Sequence, residues 1–204
     1  MSMVGEIPEL MDPAQKGGVK WQLLQKIYAL QDTITCIEKC RKPVIAAING
    51  RALGGGTELL QATDIRIAAD HAQFALPEPK LGIVPGAGSM VRLARQLPWA
   101  HAMRILLGGE PINAAEALAM GLVSEVVPFG ELQARAEHYA DNVCRQAPLA
   151  LQAIKRTALE THTLPWADAF HYEMEQAAAV MMSQDAREGP RAFRDKRQPQ
   201  FKGE

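Results

Sequence analysis

Apolar residues recur at helical spacing from residue 19 to residue 40, where Trp21, Leu23, Leu24, Ile27, Leu30, Ile34 and Ile37 form one stripe. The pattern predicts an amphipathic helix over 19–40. Lys42-Pro43 ends it, because the residue before a proline is pushed out of the α region. The period then changes. VIAAI (44–48) is apolar throughout and bounded by Pro43 and Gly50, as expected of a buried strand. IRIAA (65–69) predicts a second strand and AQFAL (72–76) a short third. Between the first two lie a glycine turn within RALGGGTELL (51–60) and a short helix over 57–62. PEPKLGIVPGAGS (77–89) holds three prolines and three glycines, too many for a regular element, and predicts a structured loop. Helices are expected over 89–97, 99–107 and 112–121, the last stopped by Gly121. LVSEVV (122–127) reads as a strand, and helices over 131–146, 148–161 and 165–183 precede a polar, basic tail. Residues 1–18, with two prolines and a Gly-Gly pair, read as an irregular lead-in. Strand–helix alternation followed by a run of helices predicts an α/β core over 1–130 and a helical C-terminal region over 131–204.

Composition narrows the partners more than the fold. The chain has 204 residues, enough for one good core. A net charge of -1 and a pI near 6.5 give no electrostatic reason to expect nucleic acid or an anionic membrane. No apolar run is long enough to span a bilayer, and no stretch resembles a secretory signal. Cys36, Cys40 and Cys144 form no disulfide framework, which fits a reducing cytoplasm. Cys36 and Cys40 share a helix face, but no second Cys/His pair completes a metal site. His71, His101, His138, His162 and His171 show no ligand spacing, so no metal is expected.

The candidate chemistry lies in two turns. Gly54, Gly55 and Gly56 follow a strand and immediately precede a helix. The first amides of a helix have no acceptor inside it and carry the positive end of its dipole. Three absent side chains let a substrate oxygen reach that backbone, as one half of an oxyanion hole requires. A plain strand-to-helix turn is the other reading. GGGTE is not followed by Gly-Lys-Ser/Thr, which excludes a P-loop, and the dinucleotide-binding spacing is absent. Glu58 sits in the first turn of the helix, where a carboxylate also stabilises the dipole. Glu78 stands twenty positions on, stiffened by Pro77 and Pro79, and is otherwise an ordinary loop acid. Two acids on separate turns after separate strands can face one pocket and divide general-acid and general-base work. Ser89 reads as an N-cap, and Asp64 as an anchor between helix and strand.

GRALGGGTELLQATDIRIAADHAQFALPEPKLGIVPGAGSMVRLAR resembles the central signature of the enoyl-CoA hydratase/isomerase (crotonase) family. The likeness continues through NAAEALAMGLVSEVVP and APLALQAIK to EGPRAFRDKRQPQFKG, and covers nearly everything from Val44 onward. It implies a crotonase-like spiral β-β-α core with a C-terminal helical trimerisation region. It also implies a homotrimer or a dimer of trimers, acting on an acyl-CoA, with coenzyme A in the substrate and no separate cofactor. Carried over, the Gly55 N–H polarises the thioester carbonyl, with Gly54 and Gly86 counted among the substrate-binding positions. Glu58 deprotonates a water that attacks C3, and Glu78 protonates C2. Gly86 fills the loop position where dienoyl-CoA isomerases of the family carry a further acid, which argues against that activity. Single-acid isomerases would not need Glu58. PEPKLGIVP and the tail are similar to carnitinyl-CoA dehydratases as well.

The resemblance also exposes a gap. The family's second oxyanion donor comes from an Ala-Gly-x-Asp-Leu-like motif upstream of the long helix, and nothing in MSMVGEIPELMDPAQKGG matches it. The expectation is therefore an N-terminally truncated form of the fold that binds acyl-CoA weakly and turns over slowly or not at all. Alternatives to hydration are an isomerase, a carnitinyl-CoA dehydratase-like enzyme, or a relative without catalysis that serves in RNA or protein interaction. The retention of both acids favours the enzyme.

Overall fold

The computed structural model describes the backbone of residues 19–204, with side chains from residue 22. The first helix among the described residues, α1 (Val19–Glu38), forms where the apolar stripe predicts it. Strands β1 (Ile45–Ile48), β3 (Ile65–Ala69) and β6 (Glu125–Val127) make one parallel sheet in the order β1-β3-β6. A second sheet, in the order β2-β4-β5, joins β2 (Arg51–Leu53) and β4 (Gln73–Ala75) in parallel and β5 (Ile112–Asn113) antiparallel.

The topology is a spiral. After β1, the two-residue step Asn49-Gly50 carries the chain from the first sheet into β2 of the second, and the helix α2 (Gly55–Leu60) follows. The same move repeats from β3 through residues 70–72 to β4. Each β-β unit thus ends in a turn on the second sheet, and because β2 and β4 are neighbours those two turns lie side by side. Glu58 follows the first turn and Glu78 the second, so the two acids owe their proximity to this register (Leu53 opposite Ala75).

Helices α3 (Ser89–Gln96), α4 (Trp99–Gly108) and α5 (Ala114–Met120) close the larger core around Phe74, Leu76, Leu93, Ile105 and Leu122, all at most 1% exposed. The helix α6 (Leu132–Cys144) covers the other side of the first sheet, with Leu132 against Ile67 and Val127. A third cluster matters for function. Ile34 of α1 packs with Ala62 and Ala87 and so presses the long helix onto both acid-bearing segments. The helices α7 (Pro148–Thr161), α8 (Trp166–Met181) and α9 (Gln184–Arg194) complete the chain. Asp64 is the anchor expected of it: its Oδ2 accepts from Val44 N at 2.7 Å and from Lys155 Nζ of α7 at 2.6 Å.

Four expectations about elements need correction. Ile112 and Asn113, expected to open a helix, form β5, and α5 starts at Ala114 behind the Asn113 cap. Residues 51–53 form β2 rather than the start of a glycine turn, since their amides and carbonyls pair with β4. The last strand is Glu125–Val127 alone, because the Leu122 and Val123 amides turn back to Ala117 O at 2.8 and 3.4 Å. The supposed tail contains α9, capped by Ser183 Oγ, which accepts from Ala186 N at 3.1 Å. Beyond α9 the chain folds back: Lys202 and Gly203 donate to the Asp185 carboxylate at 2.7 and 2.8 Å. The expected absence of a second oxyanion donor concerns residues 1–18, which lie outside the described residues.

Candidate active site

Gly54 fixes the geometry of the first turn. Its N–H reaches Ala75 O of β4 at 2.9 Å, and it adopts φ 53°, ψ -121°, a conformation that side-chain-bearing residues strongly avoid. Thr57 Oγ locks the same corner by donating to Ala52 O at 2.6 Å and lying 3.0 Å from Ala75 O. The helix α2 can then start at Gly55, whose N–H, like all first-turn amides, has no acceptor within the helix. Gly55 is exposed, and no atom lies within 4 Å of where its Cβ would stand. Apart from its own turn, nothing crowds the Cβ side of Gly55.

One turn on, Glu58 points inward and is only 4% exposed. Its Oε1 accepts from Ala87 N at 2.8 Å and from Ser89 N at 3.3 Å. Burial pushes its carboxyl above the usual glutamate range, and the nearby Glu78 charge adds to that. The Ser89 and Ala87 donors work in the opposite direction. Glu78 opens a 3₁₀ turn, Glu78–Leu81, with Pro77 at its N-cap and left-handed Gly82 at its end. Burial raises its carboxyl too, and its Oε2 is shielded from solvent with no hydrogen-bond partner. Two carboxylates therefore share one site in unlike surroundings, one held by backbone amides and the other largely without donors.

The loop between them is held from behind. Gln31 Nε2 of α1 donates to Gly86 O at 2.6 Å. Arg92 donates to Ala87 O at 3.1 Å and to Thr35 Oγ at 3.1 Å, and grips both oxygens of Glu38 at 3.2 and 2.9 Å. Gly88, at φ 122°, lies where a Cβ would run into the Arg92 guanidinium. Gly88, not Ser89, occupies the N-cap of α3, and Ser89 is the first helical residue, with its side chain turned into the protein. This differs from the N-cap expected of it.

Gly54, Gly55, Glu58 and Glu78, singled out in the sequence, lie close together in the structure. Gly86 lies on the same loop, with its carbonyl engaged by Gln31 and a Cβ position 3.6 Å from Ile27. Ala87, Gln31, Gln61 and Arg92 were not singled out, because they act through backbone groups or long-range bonds that leave no local pattern. A cavity of about 620 Å³ lies elsewhere, between Lys39–Arg41, α7 and α8. Among its lining residues Glu160 is the single carboxylate, so we place the chemistry at the acid pair instead. Among the described residues no group of three His, Cys, Asp or Glu is arranged to hold a metal ion.

A family described as Enoyl-CoA hydratase/isomerase matches residues 16–204. The enoyl-CoA hydratase EchA19 of Mycobacterium tuberculosis is 48% identical over 160 residues, covering 78% of this chain and 60% of that protein. The carnitinyl-CoA dehydratase of Escherichia coli is 43% identical over 174 residues, covering 83% of this chain and 67% of that one. The crystal structure of an enoyl-CoA hydratase from Bacillus anthracis superposes with a TM-score of 0.88 at 36% identity, over 94% of this chain and 73% of its own. The chain thus spans about three fifths to two thirds of the length of the curated relatives it matches.

Proposed function

The chain belongs to the enoyl-CoA hydratase/isomerase family, and from that premise we propose that it catalyses the reversible addition of water to a trans-2-enoyl-CoA. The observation supporting this reading is the contrast between the two acids. Glu58 receives two backbone N–H groups, which favour its ionised form, so it is the base. Glu78 buries an oxygen without a donor, so the proton of the pair resides there.

In the forward direction Glu58 takes a proton from water as its oxygen bonds to C3. Glu78 gives its proton to C2, and the electron pair of the double bond passes through the enolate. The Gly55 N–H stabilises the developing negative charge on the thioester oxygen. Turnover leaves Glu58 protonated and Glu78 ionised, and a proton exchange restores the start. No cofactor is needed beyond the thioester itself. Leu53, Leu81 and Val84, neighbours of the two turns in sequence, are 44%, 56% and 61% exposed and offer apolar surface to an acyl chain. Three free cysteines fit a cytoplasmic setting. No helix among the described residues is long and apolar enough to cross a membrane.

We further assign the face of α8 to subunit contact. Trp166, Phe170, Met174 and Met181 recur on it and are 80%, 54%, 68% and 74% exposed, apolar area that a monomer rarely leaves in water. A trimer, alone or paired, is the assembly proposed.

The test is product analysis with crotonyl-CoA in water labelled with heavy oxygen. Hydration places one labelled oxygen on C3. Migration of the double bond without label would show an isomerase instead.

A further inference from the structure

The cavity of about 620 Å³ between Lys39–Arg41, α7 and α8 gathers charge of one sign. Lys39, Arg41, Lys155 and Arg156 line it against a single carboxylate, Glu160. The whole chain has a net charge of -1, so this local excess of cations does not follow from bulk composition. Lys155 is engaged, its Nζ donating to Asp64 Oδ2 at 2.6 Å. Lys39, Arg41 and Arg156 make no side-chain hydrogen bond or ion pair among the described residues. Gln152 and Gln176 also line the cavity, with their side-chain amides unengaged. Like charges gathered without partners repel one another, and a bound anion relieves that repulsion.

The rest of the lining is apolar. Leu149, Ala153 and Leu159 face the cavity from α7, and Ala179 and Val180 from α8. Gln176, Ala179 and Val180 share one side of α8, turned away from the side of Trp166, Phe170 and Met174 assigned to subunit contact. Among the described residues no aromatic ring lines the cavity, so nothing there stacks a nucleotide base. The volume is that of a small-ligand site. We propose that this cavity binds an aliphatic carboxylate, an anion of the fatty-acid type. Its chain lies along the α7–α8 wall, and its head group is held by Lys39, Arg41 and Arg156. A guanidinium matches the two oxygens of a carboxylate, which makes the arginines the principal anchors. None of the lining residues belongs to the acid pair or its loop, so this site is separate from the proposed reaction and does not depend on it.

The experiment is equilibrium dialysis of the 204-residue chain against labelled octanoate, at low and at high salt. Octanoate should bind saturably, and more weakly at high salt, because charges in a half-open cavity are screened. Octan-1-ol, which keeps the chain and loses the charge, should bind at least about fivefold more weakly. Arg41→Gln and Arg156→Gln should each weaken octanoate binding roughly fivefold, as expected for the loss of one exposed charge pair. Ala179→Glu adds a carboxylate at an exposed lining position and should weaken it by at least as much, with circular dichroism unchanged. Crotonyl-CoA should not displace the octanoate. Absence of saturable binding, equal affinity for the alcohol, or arginine variants that bind as the wild type does would overturn the proposal. Displacement by crotonyl-CoA would overturn it as well, since it places the anion at the acid pair.

Discussion

Gly54 and Glu78, from two different turns, meet so closely that a β-carbon on Gly54 would stand 2.6 Å from Glu78 Oε1. The contact explains the first glycine of the triplet twice over, through its φ of 53° and through the acid it admits. Gly54→Ala should therefore displace Glu78, lowering kcat by about tenfold or more. The strained backbone should also cost about 1–3 kcal/mol of stability. Gly55→Ala is the control, since its β-carbon meets nothing and it lies in a helix. It should gain roughly 0.5–1 kcal/mol while obstructing the substrate oxygen. Thermal melts beside steady-state rates separate the two, and equal stability of both variants would refute the strain argument.

The acids also predict how stability depends on pH. Both folded carboxyls titrate above the unfolded value near 4.5, so the folded state holds these protons more tightly than the unfolded one. Their favourable contribution is complete below that value and is lost as pH rises through the raised folded values. Glu78→Gln removes one such group. Its melting temperature should exceed that of the wild type at neutral pH, and the gap should close on approaching pH 4.5. A gap that widens with acidification would reverse the sign and contradict the account.

Arg92 should matter for activity although it touches neither acid. Its side chain is 10% exposed and joins α1 to the loop that presents the Ala87 amide to Glu58. Arg92→Ala leaves Glu38 without its partner and should cost about 3 kcal/mol in urea unfolding. Arg92→Lys should recover only part of this, because an ammonium cannot span Glu38, Thr35 and the Ala87 carbonyl together. Full recovery by Lys would show that charge alone is at work.

Assembly is testable at α8. Replacing Phe170 and Met174 with Asp should leave the fold intact and shift sedimentation from the trimer or hexamer toward the monomer. A wild-type chain that sediments as a monomer at micromolar concentration would remove the assembly assigned to this face.

Much of this was legible from local pattern. VIAAI is an apolar run and IRIAA is apolar but for Arg66; both end at turn residues and both became strands of one sheet. The glycine triplet and the two acids stood out because their neighbours, strand before and helix or proline after, restrict what they can do. What escaped was fixed by distant partners. Arg51–Leu53 has no alternation of its own and is a strand only because β4 pairs with it. The helix α9 contains Pro190 and few apolar residues, and it is held by the chain folding back onto Asp185 and Glu188. The bond from Gln61 to Ser89 crosses 28 residues, and a serine at a helix start suggested a cap, a role that Gly88 took.

The division of labour between the acids is the central claim, and the most direct test is single-turnover hydration of crotonyl-CoA by the wild type, Glu58→Gln and Glu78→Gln, scored by the C3 hydroxyl product. Each substitution removes one proton-transfer group and should slow the chemical step by roughly a hundredfold or more, with circular dichroism unchanged. A variant of either acid that hydrates at the wild-type rate would contradict the account.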